Sequence, residues 1–297
     1  MGNQQKVFIN PHLPQTRVSN WVLFRHDTFA TIGLIILLLI FMLALLNPII
    51  AGNPNLQDAT AQLIPPSWNE DGTPDHLLGT DMLGRDMFGR ILSGASLTIG
   101  TSVIVVMLAL ILGIPLGVFA ATSASMVQLL IMRTMDILLA IPSLVLSIIV
   151  VAILGPGLMN AGIAVTLVLL PNFVRLTRSY ILEELNKPYV TAARLDGASP
   201  SRIIFKIISP NVAAPLIIHT TISLSTAIVD IAALGFLGLG AQAPLPEWGS
   251  MLSEARTSMY VAPWAVTTPG LAIFITVLSI NLVGDGLNTA INSKSRN

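Results

Sequence analysis

The chain has 297 residues, of which 53% are hydrophobic and 10% are charged, with a formal net charge of zero and a mean hydropathy of +0.78. A soluble domain carries about 25% charged residues, so this composition excludes an ordinary soluble protein and indicates a membrane protein. The zero net charge gives no reason to expect nucleic acid as a partner, and the lack of cysteine excludes disulfides and thiolate metal sites.

Charge-free stretches, taken in chain order, indicate membrane-spanning helices. A bilayer core of about 30 Å needs about 20 apolar residues of helix. The turn signal Gly155-Pro156-Gly157 divides the charge-free run 137–174 into two spans. The sequence therefore predicts an all-α integral membrane protein with six spans, near residues 29–47, 96–121, 137–154, 158–174, 211–233 and 264–283.

The first span follows a basic segment, so a cleavable signal peptide is the alternative to a membrane anchor. Its apolar stretch runs for 18 residues, from Phe29 to Leu46. This is longer than the roughly 7–15 residues of a secretory core, and no convincing small-residue cleavage site follows it. We therefore expect this span to be retained as an anchor.

The basic residues predict the orientation of the six spans. Twelve of the fifteen lysines and arginines fall on the side that holds both termini, and cytoplasmic segments are enriched in these residues. Both termini are therefore expected to be cytoplasmic. The predicted organisation is a cytoplasmic N-terminus at 1–28, the first span, an external loop at 48–95, a five-span core at 96–283 and a cytoplasmic C-terminus at 284–297.

Three features of the loops and spans have simple interpretations. A charged cluster in the external loop is expected either to contact a soluble binding protein or to be paired within a folded loop; it consists of Asp81, Arg85, Asp86 and Arg90. Gly113 and Gly117 form a Gly-x-x-x-Gly pattern, which permits close helix packing. Trp248 and Trp264 are expected to anchor at the external membrane interface.

The connector at 175–206 is the most informative part of the chain. Pro188 suits the first position of a helix, so a short helix is expected from Tyr189 to Leu195. Gly197 would end it, and a second helix would resume after Pro200. A short helix between two long ones can dock on a partner and pass its motion into the membrane. The alternative is an ordinary amphipathic loop.

The fifth span carries a stripe of polar residues. At about 100° per residue, His219, Ser223, Thr226 and Asp230 share one narrow face of an apolar helix. Such residues usually face a bundle interior or a water-filled cavity, and an aspartate would attract cationic cargo. We therefore expect them to line a translocation path near the external gate. The alternative is interhelical hydrogen bonding that only holds the bundle together.

The sequence offers little catalytic chemistry. Its four histidines show no His-x-x-x-His spacing, and no lysine follows a glycine, so zinc sites and a Walker phosphate loop are not expected. An enzyme is therefore not expected. If ATP drives this protein, another subunit must hydrolyse it. An ion-coupled secondary transporter is the alternative from a different class.

The connector also carries a family resemblance. The string Thr191-Ala192-Ala193, then Gly197, Ile207 and Ser209-Pro210, resembles the coupling-helix signature of binding-protein-dependent ABC transporter permeases, Glu-Ala-Ala, three residues, Gly, nine residues, Ile-x-Leu-Pro. Thr191 and Ser209 depart from the usual Glu and Leu. The resemblance assigns contact with an ATPase to Tyr189, Ala192, Ala193, Arg194, Asp196 and Gly197.

Further strings narrow the resemblance. The segment from His76 to Asp86 and the Pro246–Leu252 segment are similar to the second permease of dipeptide and oligopeptide importers. Within that group the chain looks most like the permease of the Sap system, named for sensitivity to antimicrobial peptides. The strings that carry this likeness are 63–68, 174–179, 194–199 and 230–237.

The resemblance implies a type I ABC importer permease fold in the bacterial inner membrane, surrounded by lipid. It implies a second homologous permease and two ATPase subunits that bind ATP and Mg²⁺, with no cofactor in this chain. A periplasmic substrate-binding protein is a further candidate partner. The implied function is peptide transport linked to antimicrobial-peptide resistance, with putrescine export and haem uptake as alternatives.

Overall fold

The structure, a computed structural model, describes residues 20–50 and 52–292. Over this part of the chain the protein consists of helices joined by turns and loops, which confirms the predicted all-α class. The predicted terminal segments 1–28 and 284–297 lie partly outside the described residues. Four of the basic residues that predicted the orientation lie wholly outside them: Lys6, Arg17, Lys294 and Arg296.

Eleven α-helices follow one another in the described residues. A π-helical segment at Ile203–Ile208 precedes the ninth, and a 3₁₀ turn at Arg256–Ser258 follows the tenth. The helices are α1 (Asn20–His26), α2 (Thr28–Ile50), α3 (Met87–Thr122), α4 (Ser125–Ala140), α5 (Ser143–Leu154), α6 (Leu158–Leu185), α7 (Pro188–Leu195), α8 (Pro200–Arg202), α9 (Ser209–Phe236), α10 (Trp248–Ala255) and α11 (Trp264–Asn292).

The six predicted spans correspond to long apolar helices. Among the described residues, α2, α3, α6, α9 with its preceding segment, and α11 are each long and apolar enough to cross a membrane. The bent pair α4–α5 passes the same test only when the two helices are taken together as one span. Several helices extend past their predicted bounds, and α3 and α6 do so by about ten residues. The helix α3 begins at Met87, inside the predicted external loop, and α6 continues to Leu185, past the predicted end at residue 174.

The third span is broken, so the continuous helix predicted at 137–154 is wrong. The helices α4 and α5 meet at a bend of 98°. Pro142 precedes α5, and a proline disfavours helical geometry in the residue before it, here Ile141, which is extended. The 12 residues of α5 rise about 18 Å, so α5 alone is too short to cross a bilayer core of about 30 Å.

The helices α3 and α6 share the most extensive contact of the bundle. A Cβ atom added at Gly113 would lie 2.5 Å from Cβ of Phe173, and one at Gly117 would lie 2.6 Å from Cβ of Thr177. No side chain fits there. The Gly-x-x-x-Gly pattern therefore does bring two helices into close contact, as predicted.

The first long helix, α2, packs against the last, α11. A Cβ atom at Gly33 would lie 2.8 Å from the backbone oxygen of Ser279, and Gly286 lies directly against Ala30. This close packing gives α2 a place in the folded bundle.

The end of the bundle that carries α10, called here the α10 end, is closed by buried side chains. Trp248 is 1% exposed, and its indole nitrogen donates to the Ile91 carbonyl at 3.0 Å. Its ring lies against Gly94, which has no side chain to exclude it. The prediction that Trp248 anchors at the membrane interface is therefore wrong. Trp264 is half-buried and donates to the Thr80 carbonyl at 3.1 Å.

Glu247 is a buried carboxylate at the start of α10. It accepts hydrogen bonds from the Thr98 hydroxyl at 3.0 Å and from the backbone nitrogens of Gly249 and Ser250 at 3.0 and 2.9 Å. Burial raises the pKa of Glu247 above its ordinary value, although these hydrogen bonds oppose the shift. The carboxylate caps α10 and bonds it to α3.

The charged cluster in the predicted external loop is paired within the chain. Arg85 bonds to Asp81 at 2.6 Å and to Glu254 at 2.5 Å. Arg90 bonds to Glu254 at 3.0 Å. Asp86 accepts from the backbone nitrogen of Gly89 at 2.7 Å and caps α3. The structure therefore favours the folded, self-paired interpretation, since these ion pairs join the start of α3 to α10.

Candidate coupling helix and polar stripe

The short helix predicted at Tyr189–Leu195 is present as α7, with Pro188 at its first turn. It ends in a Schellman motif. The nitrogen of Gly197 donates to the Arg194 carbonyl and that of Ala198 to the Ala193 carbonyl, both at 3.0 Å. Gly197 has φ of +79°, a conformation that glycine adopts with little cost.

One buried side chain attaches α7 to the bundle. Val190 is fully buried and belongs to an apolar cluster with Ile181 of α6, Leu216 of α9 and the π-helical segment's isoleucines. Most of the other α7 side chains are exposed. The helix therefore rests on the bundle along one narrow face and presents its remaining surface outward.

A polar network ties α7 to α6 and α9. Glu184, near the end of α6, accepts hydrogen bonds from the Lys187 ammonium at 2.5 Å and from the Tyr189 hydroxyl. Asn211, in the first turn of α9, donates to the Tyr189 hydroxyl at 3.0 Å. Burial, and then the bond to Glu184, raises the pKa of Tyr189. The Tyr189 hydroxyl is thus bonded within its own chain.

The other predicted coupling residues lie on the outer surface. Ala192, Arg194, Asp196 and Gly197 are exposed, and Ala193 is half-buried. Two exposed apolar residues beside them were not predicted as site residues: Leu195 is 85% exposed and Phe205 is 70% exposed. The sequence did contain signals for both residues. Leu195 is an apolar residue at the end of the short helix in a polar connector, and Phe205 is a large apolar residue shortly after Arg202.

The π-helical segment joins α8 to α9, and Pro210 explains why the helix widens there. Pro210 has no backbone N–H, and its ring would collide with the Lys206 carbonyl in a regular α-helix. A wider turn just before the proline avoids this collision, and Ser209 instead donates to the carbonyl of Ile204. Ile203, Ile204 and Ile208 are buried as a result, while Phe205 faces outward.

The polar stripe of α9 is mostly turned inward. Ser223 is 3% exposed and Asp230 is 8% exposed. His219 is half-buried, and its ring meets that of Phe173 edge-on, with centroids 4.9 Å apart. Thr226 is exposed, and its hydroxyl donates to the Ile222 carbonyl of its own helix at 3.2 Å. The structure thus groups three of the four predicted residues in the interior and places the fourth on an open face.

Two of the inward groups have no partner. Among the described residues, His219 Nε2 and Asp230 Oδ2 are buried without a hydrogen bond, and leaving such a group unsatisfied costs about 1–3 kcal/mol. A different face of α9 is bonded to α11: the Ser225 hydroxyl donates a hydrogen bond to Asn281 at 2.7 Å. Within the described part of this chain, these two atoms therefore make no interhelical hydrogen bond.

Comparison with known sequences identifies the family. Residues 113–297 match the family described as "Binding-protein-dependent transport system inner membrane component". Residues 19–66 match the "N-terminal TM domain of oligopeptide transport permease C".

Three curated relatives have similar length. The chain is 50% identical to the di/tripeptide transport system permease protein DppC of Pseudomonas aeruginosa, over 93% of this chain and 92% of the relative. It is 46% identical to the dipeptide transport system permease protein DppC of Escherichia coli K12, over 98% and 97%. It is 50% identical to the peptide transport system permease protein SapC of Escherichia coli O6:H1, over 77% and 78%.

A solved structure shares the fold. The inward-facing MetNI methionine ABC transporter matches with a TM-score of 0.56 and 21% identity, over 67% of this chain and 94% of the matched chain. At this identity the likeness concerns the fold alone, which is the ABC importer permease fold. Together these findings show that the chain belongs to the inner-membrane permease family of binding-protein-dependent ABC transporters, in its peptide-transport group, and is a multi-pass transport subunit rather than an enzyme.

Proposed function

We propose that this chain is one of two permeases in an ATP-driven importer of short peptides, and that peptides pass along the stripe face of α9. One observation carries this proposal: the helix that holds the stripe also begins at the tether of α7. Asn211 bonds to Tyr189, and Asp230 follows 19 residues later on the same helix, about 28 Å away at helical rise. Motion of α7 therefore has a direct route to the stripe.

In this mechanism ATP and Mg²⁺ bind to two separate ATPase subunits, whose closure moves α7. Leu195 inserts into the ATPase surface, where burial of a leucine side chain contributes about 1.5–3 kcal/mol. Arg194 and Asp196 lie beside it and bond to the ATPase. The tether through Tyr189 and Asn211 passes the motion to α9, and the spans turn so that the stripe faces the other side of the membrane.

The α7 end is then the cytoplasmic side, and both termini lie there. The exposed side chains around α7 include the basic residues Arg194, Arg202 and Lys206, as the positive-inside rule expects. The α10 end is then external and receives cargo, delivered by a periplasmic substrate-binding protein.

Short peptides are the first choice of cargo, since the di/tripeptide and dipeptide permeases named above align with almost the whole chain. A second candidate is longer antimicrobial peptides, and with them resistance to such peptides. The SapC relative favours it, with 50% identity over 230 residues. Putrescine and haem remain further cargoes to be tested beside these.

Uptake by proteoliposomes that contain the complete complex tests the proposal. We expect ATP-dependent uptake of radiolabelled di- and tripeptides that persists after a protonophore removes the proton gradient. Uptake of cationic antimicrobial peptides in preference to dipeptides would select the second candidate. Uptake of putrescine or haem alone would refute peptide cargo, and uptake that needs an ion gradient without ATP would indicate a secondary transporter.

A further inference from the structure

We propose that the Asp230 carboxylate binds the α-ammonium group at the N-terminus of the transported peptide. This inference rests on the proposed peptide transport and names the chemical group that the stripe recognises. It begins with the burial of Asp230, which is 8% exposed, with Oδ2 buried and without a hydrogen bond among the described residues.

A buried carboxylate without a partner is costly, because its charge is removed from water and not compensated. Other buried carboxylates in the described part of the chain are satisfied locally. Asp81 pairs with Arg85, Glu184 bonds to Lys187, and Glu247 accepts three neutral hydrogen bonds. Asp230 differs from all of these, because no described residue bonds to its Oδ2, and this oxygen is therefore free to bind a group from outside them.

Asp230 lies beside an open face of α9. At about 100° per residue it is about 40° from Thr226, which is exposed together with Ile222 at 53% and Val229 at 48%. On its other side are Ile231 and Leu234, both fully buried. The carboxylate therefore stands at the border between the packed core and a surface that a passing molecule can reach.

The surroundings of Asp230 favour a cation of small size. Its fully buried neighbours on α9 are the apolar residues Ala227, Ile231 and Leu234, and an ion pair is stronger in a weakly polar environment than in water. An α-ammonium group offers three hydrogen-bond donors. Every unmodified peptide carries one whatever its side chains are, so a single carboxylate can recognise peptides of many sequences.

The alternative partner is a basic side chain of the second permease, and thermal unfolding distinguishes the two. If cargo is the partner, the carboxylate is uncompensated in the peptide-free complex. D230N then keeps or raises the unfolding temperature of that complex. If the second permease supplies a cation, D230N lowers the unfolding temperature, since it breaks a permanent buried pair. A lower temperature would overturn the inference.

Uptake by the complete complex tests recognition of the ammonium group. The probes are dialanine and N-acetyl-dialanine, which lacks that group, with the same binding protein in every sample. We expect D230N to lower dialanine uptake roughly tenfold, the scale of one lost charge-assisted hydrogen bond, and D230E to retain most of it. Uptake of the acetylated peptide should not fall.

Ser225→Ala is the matched control. It removes the hydroxyl that bonds to Asn281, on a different face of the same helix, and should change uptake of both peptides by the same factor. A D230N complex that loses both peptides equally, or takes up dialanine at the wild-type rate, would overturn the inference while peptide transport stands. A wild-type complex that takes up neither peptide would instead refute the proposed function.

Discussion

Gly197 positions the end of α7 through backbone geometry alone. Its φ of +79° closes the Schellman motif, and a Cβ atom added there would meet nothing within 4 Å. A side chain at this position therefore destabilises the turn by about 1–2 kcal/mol because its backbone must adopt a positive φ, and not because it collides with a neighbour. The orientation of Leu195, two residues earlier, depends on this turn.

Replacing Gly197 tests whether α7 docks on the ATPase. We expect Gly197→Ala to weaken co-purification of the ATPase subunits, Gly197→Asn to weaken it less because asparagine tolerates a positive φ, and Gly197→Trp to abolish it. Gly52→Ala is the matched control, since Gly52 also has a positive φ, of +59°, and open space around it. A Gly197→Trp complex that keeps its ATPases and transports normally would disprove the coupling-helix assignment.

Single residues differ in how far the sequence predicts them. The roles of Pro188 and Gly197 follow from local backbone chemistry, so the bounds of α7 could be predicted. The exposure of Leu195 depends on which face Val190 buries, and the bonding of Tyr189 to Asn211 depends on packing between distant segments. The spacing of the stripe could be recognised in the sequence. It could not show that Thr226 is exposed while Asp230 is buried, because that depends on which helices pack against α9.

At the scale of helices, the arrangement of α7 between α6 and α9 explains how one short helix can act on a long one. Glu184 of α6 and Asn211 of α9 both bond to the Tyr189 hydroxyl. The hydroxyl therefore fixes three helices together at one point. The sequence predicted these helices but not the break of the third span at Pro142. The run 137–174 around it has no charged residue, and it was divided into spans by its length and by the turn at Gly155-Pro156-Gly157 alone.

Removing the Tyr189 hydroxyl should uncouple the helices. We expect Tyr189→Phe to keep the ATPase subunits bound but to lower peptide uptake per ATP hydrolysed about threefold to tenfold, the scale of one or two hydrogen bonds. Tyr260→Phe is the control, because Tyr260 is 90% exposed on the loop that follows α10. Equal coupling ratios for Tyr189→Phe and wild type would show that this tether does not transmit motion.

Contact between α3 and α6 should depend on Gly113. Gly113→Leu places side-chain atoms against Phe173, and overpacking of this kind costs about 1–3 kcal/mol or more. We expect a lower unfolding temperature in detergent and a lower yield of folded protein. Gly100→Leu, on the same helix with nothing within 4 Å of its added Cβ, should unfold like wild type. A neutral Gly113→Leu would contradict the close packing.

At the scale of the whole molecule, the two ends are built differently. The α10 end is closed by Trp248, Glu247 and the ion pairs of Arg85 and Arg90 with Glu254. At the other end α7 is held by Val190 and one polar network. The five long spanning helices could be predicted from apolar length. The closed end could not, because Trp248 and Arg90 become buried only when loops far apart in sequence meet.

The central claim is that α7 couples ATP hydrolysis on partner subunits to peptide passage through this chain. The most direct test is ATP-dependent dipeptide uptake by proteoliposomes. It is measured for the wild type, for Leu195→Asp and for the control Leu56→Asp, whose native leucine side chain is 71% exposed. We predict that the wild type and Leu56→Asp take up peptide only with ATP and that Leu195→Asp loses at least nine-tenths of this uptake, roughly the tenfold effect of 1.4 kcal/mol. Undiminished uptake by Leu195→Asp, or uptake without ATP, would contradict the claim.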